Sequence, residues 1–273
     1  MLKQILVGNF LGRILISIRD KYKLLRAAYF WPQFVGSIAN DQLASDLVVS
    51  LCKPNATFID VGAHIGSIVA GVNYLLPDVK IIAIEAIPEK VDSLKKQFPF
   101  VEIHHCAVGE IDGAATFYVN TTRSGYSSLM SPNRNNKDVI HEIKVPVKKF
   151  DDIVTVKDVD VIKIDVEGAE LGVLRGAKKF IETNRPIIMF ESGPVAPSLM
   201  HIKKELYTFL DNLNYAIIAP NRLAFYSVGL TLEAFIDSHI YPFLTTNIFA
   251  VPIERSEEVL QLAFQKIKPK EYT

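Results

Sequence analysis

The sequence predicts an α/β fold built on a doubly wound, mostly parallel sheet. Three observations point to this fold. Short apolar runs alternate with helical patterns from Thr57 onward, a glycine-containing turn follows the first run, and acidic residues end several of the runs. Apolar residues make up 49% of the 273 residues, which is enough for a buried core and excludes an intrinsically disordered chain.

Five apolar runs predict the strands of the sheet. They are Thr57–Val61, Lys80–Ala86, Val101–Val108, Asp160–Asp165 and Pro186–Glu191. Helical spacing occurs between and after them, over Ile65–Leu76, Pro88–Phe98, Ala169–Glu182 and Leu199–Leu213. Strands that alternate with helices in this way favour crossover connections and therefore a parallel sheet.

The alternation is interrupted after the third run. Ala114–Val119 and Glu142–Val147 predict a pair of strands that flank a polar loop, Thr121–Lys137. Long loops in compact domains are either functional or mobile connections, so two interpretations of the segment Arg123–Ser128 remain, of which a lid for the acceptor is preferred to a simple connection. Three late segments predict strands that complete the sheet: Tyr215–Ala219, Leu223–Ser227 and Thr246–Val251.

The N-terminal segment predicts an amphipathic helix that ends before Trp31-Pro32. Its apolar stripe repeats at helical spacing over Val7, Leu11, Ile14, Leu15, Ile18, Tyr22 and Leu25. Residues 1–30 contain six basic residues and one acidic residue, a balance of +5 in a chain whose total charge is zero. Two interpretations follow: the stripe docks on the rest of the protein, or the helix lies on an anionic membrane surface. A second helix is predicted over 41–51.

Composition excludes several classes of protein. Thirty basic and thirty acidic residues cancel, so a nucleic-acid partner is disfavoured. The two cysteines, Cys52 and Cys106, exclude a disulfide framework and a cysteine-rich zinc site, and they favour a reducing compartment. The N-terminus has no apolar run with the length of a membrane span and no clean secretory signal. We therefore expect a cytoplasmic protein, with peripheral membrane contact through residues 1–30 as the alternative to a fully soluble one.

The turn after the first strand reads Asp60-Val61-Gly62-Ala63-His64-Ile65-Gly66. Gly62 permits a tight turn, and Gly66 is expected to let the following helix approach the sheet closely. Backbone N–H groups at the start of a helix suit a carboxylate or a phosphate. The pattern alone is equally compatible with a simple strand–helix turn.

A second feature favours a nucleoside cofactor. Glu85 ends the second strand 23 residues after Gly62, and an acidic residue near this spacing accepts hydrogen bonds from the two ribose hydroxyls of a bound nucleoside. A dinucleotide site needs a second glycine two positions after Gly62, where this chain has His64. S-adenosylmethionine has no diphosphate, and Asp60 suits its aminoacyl part, so it is preferred to NAD.

Further carboxylates follow the fourth and fifth strands. A carboxylate at the carboxyl end of a central strand can act as a general base, and Asp165 is the first candidate because it ends such a strand. Glu167 and Glu191 are the next candidates, whereas Glu170 is interpreted as a charge at a helix N-terminus. Asp165 and Glu167 lack a clear third ligand, so no metal site is predicted.

These motifs resemble those of the FkbM family of S-adenosylmethionine-dependent methyltransferases. The resemblance covers Thr57 to Val251 and rests on FIDVGAHIG, AIEAIPE, CAVGEIDG, VIKIDVEGAELGVLRGA and PIIMFE. The long fourth block is the most specific, whereas the first is shared with many class I methyltransferases. Two departures are mild: Ala86 stands where the family commonly has proline, and His64 where asparagine is usual. Neither departure removes the carboxylate of Glu85 or the glycines at 62 and 66, so the predicted cofactor stays the same.

The resemblance implies a Rossmann-like class I methyltransferase sheet and methyl transfer to a hydroxyl of a sugar, a lipid-linked glycan or a small metabolite. It divides the chain into an N-terminal helical extension (1–54), a methyltransferase domain (55–253) and a C-terminal helical tail (254–273). The predicted cofactor-binding residues are Asp60, Gly62, Ala63, His64, Gly66, Glu85, Ala86, Ala107 and Val108. An NAD-type oxidoreductase and a non-catalytic module that binds S-adenosylmethionine remain the alternatives.

Overall fold

The computed structural model describes residues 10–122, 127, 129, 139–225 and 229–267. Its helices are α1 (Phe10–Phe30), α2 (Val35–Ser50), α3 (Ser67–Leu75), α4 (Pro88–Gln97), α5 (Phe150–Ile153), α6 (Glu170–Gly176), α7 (Lys178–Asn184), α8 (Met200–Asn212), α9 (Leu232–Asp237) and α10 (Ser256–Ile267). Its strands are β1 (Thr57–Val61), β2 (Lys80–Glu85), β3 (Glu102–His105), β4 (Ala107–Val108), β5 (Gly113–Asn120), β6 (Ile140–Lys148), β7 (Val159–Ile164), β8 (Ile187–Glu191), β9 (Tyr215–Ile218) and β10 (Asn247–Pro252).

Seven strands form the central sheet in the order β3-β2-β1-β7-β8-β10-β9. The first five run parallel, and β10 is antiparallel to both of its neighbours, β8 and β9. The chain winds outward in opposite directions from β1 and β7, which makes this pair the switch point where doubly wound sheets bind ligands. The predicted fold class, an α/β fold on a doubly wound and mostly parallel sheet, is confirmed.

Apolar side chains cover both faces of the sheet because adjacent residues of a strand point to opposite sides. Phe58 faces the cluster formed with α2, α3 and α10, whereas its neighbour Ile59 faces the cluster formed with α6, α7 and α8. Both residues are fully buried, and each such side chain contributes roughly 1.5–3 kcal/mol. Two complete layers of helices therefore hold the strands in place, and the sheet presents its carboxyl edge for binding.

A second, three-stranded sheet follows the order β4-β6-β5. The antiparallel pairing of β5 with β6 confirms the predicted strand pair. The single strand predicted over Val101–Val108 is wrong, because the chain bends at Cys106. The residues before the bend pair with β2, and those after it pair with β6. The bend therefore moves the chain from the edge of one sheet into the other.

Three other predicted elements differ from the structure. The helix predicted over Ala169–Glu182 is divided into α6 and α7 at Ala177, and the helix predicted over 41–51 begins earlier, at Val35. The strand predicted over Leu223–Ser227 is wrong: residues 223–225 form a turn, and 226–227 lie outside the described residues. Leu223 and Ala224 are buried nevertheless, so their apolar character reflects core packing rather than a strand.

The N-terminal helix is present from Phe10, and residues 1–9 lie outside the described part of the chain. It touches the protein through a narrow strip that includes buried Ala27, and the Gln42 side chain donates to the backbone carbonyl of Asp20 at 2.8 Å. The predicted stripe does not dock: its described members, Ile14, Leu15, Ile18, Tyr22 and Leu25, are 42–70% exposed. Among the described residues, no helix combines the length and apolar character needed to cross a membrane.

The end of α6 provides a test of the packing. A Cβ added at Gly176 would collide with the backbone carbonyl of Gly109, just after β4, so we expect Gly176→Ala to lower the free energy of unfolding by about 2 kcal/mol or more. Gly36, in the first turn of α2, has nothing within 4 Å of an added Cβ. Gly36→Ala should therefore raise stability by about 0.5–1 kcal/mol. Urea unfolding measures both, and equal effects of the two variants would contradict the packing.

Candidate active site

A cavity of about 300 Å³ opens at the carboxyl ends of β1, β2 and β7. It is the position expected from the switch point of the sheet. Among the residues lining it are Asp60, Gly62, Ala63, His64, Glu85, Ala86, Ala107, Val108, Asp165 and Glu167. The structure therefore brings together all of the predicted cofactor-binding residues except Gly66, and two of the three catalytic candidates.

The turn after β1 crosses closely over the end of β7. Gly62 has φ +80°, and a Cβ there would collide with the carbonyl oxygen of Asp165, so this position requires glycine for both conformation and space. His64 also has a positive φ, 52°, a conformation that histidine and asparagine tolerate better than most residues. Gly66 approaches α4 rather than the sheet: an added Cβ would meet Phe98 and Leu94, which corrects the role expected for it.

Glu85 is 5% exposed at the end of β2 and faces the cavity. Its two carboxylate oxygens accept hydrogen bonds from the backbone N–H groups of His64 at 2.8 Å and of Ile87 at 2.9 Å. Burial raises the pKa of Glu85, and the positive charge of Lys90 opposes that effect. Each oxygen keeps a further lone pair for a ligand, so Glu85 both orders the turn and can accept hydrogen bonds from a diol.

Lys163 links the ends of β1 and β7. Its ammonium group lies 3.0 Å from Asp60 and 3.3 Å from Asp165, and it donates to the Gly62 carbonyl at 3.0 Å. Burial disfavours the charged form, but the negative charges of Asp165 and Asp60 outweigh it and raise the pKa of Lys163. Lys163 is not among the predicted site residues; the one signal for it in the sequence is a lysine within a mostly apolar strand.

Asp165 and Glu191 form a carboxyl pair at the ends of β7 and β8. Burial acts to raise the pKa of Asp165, but the charge of Lys163 and a hydrogen bond with Glu191 lower it overall. Burial and the negative charge of Asp165 raise the pKa of Glu191. Because close carboxylates resist double ionisation, the pair holds one proton, on Glu191, and leaves Asp165 ionised.

Glu167 completes the acidic cluster. Burial, followed by the charges of Asp165 and Glu170, raises the pKa of Glu167 to about 8. Carboxylate oxygens of Asp165, Glu167 and Glu191 lie within 4.8 Å of one another, a spacing that also suits an oxygen-preferring cation. Such clusters are common without an ion, and Lys163 together with the shared proton already offsets their charge. The absence of a metal stays a prediction.

Glu170 lies at a helix N-terminus, the position expected for it. It is the first residue of α6, it is 3% exposed, and it accepts a hydrogen bond from the Gly168 N–H at 2.9 Å. The predicted lid lies mostly outside the described residues, since only Ser127 of Arg123–Ser128 is described. Ser127 and nearby Leu129 line the cavity. The Ser127 hydroxyl also accepts a hydrogen bond from the Asn120 N–H at 3.1 Å.

A buried polar network lies directly after Glu191. The Ser192 hydroxyl is 2.7 Å from His239 Nε2 and accepts a hydrogen bond from Lys203 at 3.0 Å. Because His239 Nδ1 donates to the Phe235 carbonyl at 2.7 Å, Nε2 is the acceptor for Ser192. Burial, followed by the charge of Lys203, lowers the pKa of His239 to about 4, so the ring is neutral. No sequence pattern indicates this network, because its members are far apart in the chain: Ser192 follows β8, Lys203 lies on α8 and His239 follows α9.

The chain is similar to known methyltransferases. A family model described as Methyltransferase FkbM domain matches residues 60–217, more than half of the sequence. Methyltransferase 1 of Beauveria bassiana (strain ARSEF 2860) is 30% identical over 149 residues, which covers 45% of this chain and 59% of that protein. The chain therefore spans less than two thirds of this relative.

Two solved structures are similar at lower identity. The methyltransferase FkbM from Methylobacillus flagellatus KT is 20% identical with a TM-score of 0.42, over 60% of this chain and 39% of that chain. The precorrin-6y C5,15-methyltransferase from Geobacter metallireducens GS-15 is 14% identical with a TM-score of 0.37, over 64% of this chain and 72% of that chain.

The acidic cluster predicts how stability depends on pH. The folded state keeps a proton on Glu167 up to about pH 8, whereas the unfolded chain releases it near its ordinary pKa of about 4.5. The folded state therefore binds more protons within this window, and its stability falls as pH rises. Glu167→Gln removes this difference, so between about pH 5 and pH 8 the Tm of the variant should fall at least about 3 °C less than that of the parent.

Glu89, an exposed residue of α4, supplies the control substitution, Glu89→Gln. The control should follow the pH dependence of the parent protein. If Glu167→Gln and the parent lose stability in parallel as pH rises, the folded state does not hold the proton on Glu167.

Proposed function

Since the chain belongs to the FkbM methyltransferase family, we propose that it transfers a methyl group from S-adenosylmethionine to a hydroxyl oxygen of a sugar, a lipid-linked glycan or a small metabolite. The observation that carries the proposal is the position of Glu85. It is a buried carboxylate beside the turn that follows β1, and it faces a cavity at the switch point of the sheet. This is the arrangement that binds a nucleoside.

The residues around the cavity fit the two ends of S-adenosylmethionine. Glu85 offers acceptors for the ribose hydroxyls, and the apolar side chains of Ile87, Ala107 and Val108 line a wall suited to the adenine ring. The turn after β1 and the acidic groups at its base suit the aminoacyl part, which carries both a carboxylate and an ammonium group. When bound, the cofactor supplies a methyl group that is already activated by a positively charged sulfur.

The protein must then orient the acceptor and remove its proton. We assign the proton acceptor as Asp165, whose side chain is 39% exposed and reaches the cavity. Lys163 keeps it ionised at neutral pH, and protonated Glu191 holds it by a hydrogen bond. Glu167 and Glu191 are the reserve candidates, and both hold a proton more firmly than Asp165. An ionised carboxylate beside a neutral carboxyl is an arrangement able to accept one proton from an alcohol.

Asp60 acts on the cofactor through a different route from Glu85. Its carboxylate is 1% exposed and is paired with Lys163, so its charge is shared before any ligand arrives. We propose that Asp60 fixes the ammonium group of Lys163 and thereby the electrostatic potential at the aminoacyl end of the cavity. Loss of Asp60 would leave Lys163 with Asp165 as its remaining ion-pair partner within the part of the chain that the structure describes.

The cofactor assignment is tested by Glu85→Ala. The substitution removes charge-assisted hydrogen bonds, and we expect the affinity for S-adenosylmethionine to fall about tenfold or more in calorimetric titration. Asp60→Ala should also weaken binding. Glu102→Ala removes an exposed carboxylate from the start of the neighbouring strand, β3, and should bind like the parent. Thermal unfolding of each variant separates lost binding from a disturbed turn, and tight binding by both Glu85→Ala and Asp60→Ala would refute the assignment.

The proton acceptor is tested by Asp165→Asn. Turnover is measured with the acceptor that a screen of glycans, lipids and metabolites identifies by gain of a labelled methyl group. We expect kcat to fall by about 10²–10⁴, with cofactor affinity little changed, because the amide cannot accept the proton. Asp92→Asn, an exposed substitution on α4, should leave kcat unchanged. Near-normal turnover of Asp165→Asn would move the role to Glu191 or Glu167.

A further inference from the structure

The exposed face of α1 has the composition of an interface rather than of ordinary surface. Leu15, Ile18, Tyr22, Leu25 and Tyr29 follow each other at steps of three and four residues, and so form one stripe along the helix. They are 48%, 57%, 62%, 70% and 82% exposed. Isolated exposed apolar residues are normal on proteins, but a continuous stripe of large ones marks a surface that contacts something else.

Basic residues border this stripe. At about 100° per residue, Arg19 and Arg26 lie along one side of the apolar face, with Lys23 further round on that same side, and Lys21 lies along the other side. All four are exposed. Long basic side chains in these positions can reach lipid phosphates while the apolar residues between them enter the acyl region.

The C-terminal end of α1 adds an aromatic cluster. Phe30 and Trp31 are 60% and 44% exposed, and the Arg26 guanidinium lies 5.1 Å from the centroid of the Trp31 ring. Tyr241, 56% exposed, packs edge-on against Phe34 with the ring centroids 5.6 Å apart, and its neighbour Ile240 is also exposed. Aromatic residues of this kind are enriched at the level of lipid headgroups.

The charge pattern distinguishes between the possible occupants of the stripe. Four basic side chains and one acidic side chain, Asp20, are described on α1, and Asp20 is already paired with Arg19 at 2.8 Å. A second copy of the helix would bring two basic borders together, which is repulsive. An anionic lipid surface is complementary to the same borders, and it attracts each basic residue near the surface.

We propose that the stripe Leu15–Tyr29, its basic borders and the adjoining aromatic cluster form a docking surface for anionic membranes. The helix lies in the plane of the lipid headgroups with its apolar stripe facing the acyl chains, while the strip around Ala27 stays on the protein. The docking surface is connected to the cavity through the chain. The loop that carries Tyr241 leads into Asn247, and Asn247 lines the cavity together with Ser45 of α2.

Flotation of the full chain with vesicles tests the proposal. With vesicles of phosphatidylglycerol and phosphatidylcholine in about equal parts, we expect the protein to float at ~0.05 M salt and to be released at ~0.5 M salt. It should stay unbound with pure phosphatidylcholine. Equal flotation with both vesicles, or none with the anionic ones, overturns the proposal.

Matched variants separate the stripe from its basic borders. Ile18→Ser/Leu25→Ser should abolish flotation, whereas Phe100→Ser/Ile111→Ser, which changes equally exposed residues elsewhere, should not. Lys21→Gln/Lys23→Gln should weaken binding to anionic vesicles about tenfold or more, whereas Lys95→Gln/Lys96→Gln on α4 should leave it near the parent value. Loss of binding in the control variants to the same extent would show nonspecific adsorption and overturn the proposal.

The mass of the protein in solution tests whether the stripe binds a second copy of the chain instead of a membrane. Light scattering without lipid should give the mass of one chain, for both the parent and Ile18→Ser/Leu25→Ser. A dimer that the double substitution converts to a monomer, together with no flotation of the parent, would assign the stripe to a partner helix instead. Because the substituted residues are exposed, we expect the variants to stay folded, so that lost flotation reflects the changed surface. Circular dichroism checks directly that they are folded.

Discussion

The buried ammonium group of Lys163 is the interaction on which the site depends. It lies between the ends of β1 and β7 and contacts a carboxylate from each, as well as the carbonyl at the turn after β1. Removal of such a charge would leave two carboxylates close together in a region with little solvent, and an uncompensated buried charge is costly. The ion pairs thus hold two strands, the turn and the local charge in one arrangement.

The same ion pairs explain why three carboxylates can share a small volume. One positive charge keeps Asp165 ionised, and the proton shared with Glu191 removes a second negative charge. Behind Glu191, neutral His239 and charged Lys203 hold Ser192, so the backbone that follows the carboxyl group is fixed by a second network. The acidic cluster is therefore supported from two sides, by an ion pair at β7 and by hydrogen bonds beyond β8.

Much of the fold was predictable because it depends on local patterns. The apolar runs predict β1, β2, β7 and β8, and most of the glycine, acidic and alanine residues selected at their ends line one cavity. The predictions that were wrong concern contacts between residues far apart in the sequence. Nothing in the sequence near Cys106 indicates that the residues before it and after it pair with different strands. Leu223 and Ala224 have the apolar character of a strand, but buried turns contain the same residue types. Lys163 could not be selected for a similar reason. Two of its partners, Asp60 and the Gly62 carbonyl, belong to β1 and the turn after it, which are distant in the sequence. The stripe of α1 shows that periodicity identifies an apolar face but not what covers it.

The reversed direction of β10 has a consequence for the order in which the protein is completed during synthesis. In the described sheet, β9 pairs with β10 alone, and β10 is inserted between β8 and β9. β9 therefore leaves the ribosome before the strand that attaches it to the sheet exists. Because β10 is antiparallel, its first residue, Asn247, lies at the carboxyl edge of the parallel strands and contributes to the cavity. A nascent chain that stops before β10 contains β1, β2 and β7, but β8 is left as an open sheet edge and the cavity lacks Asn247. Synthesis of β10 therefore completes the cavity and protects the sheet edge in the same step.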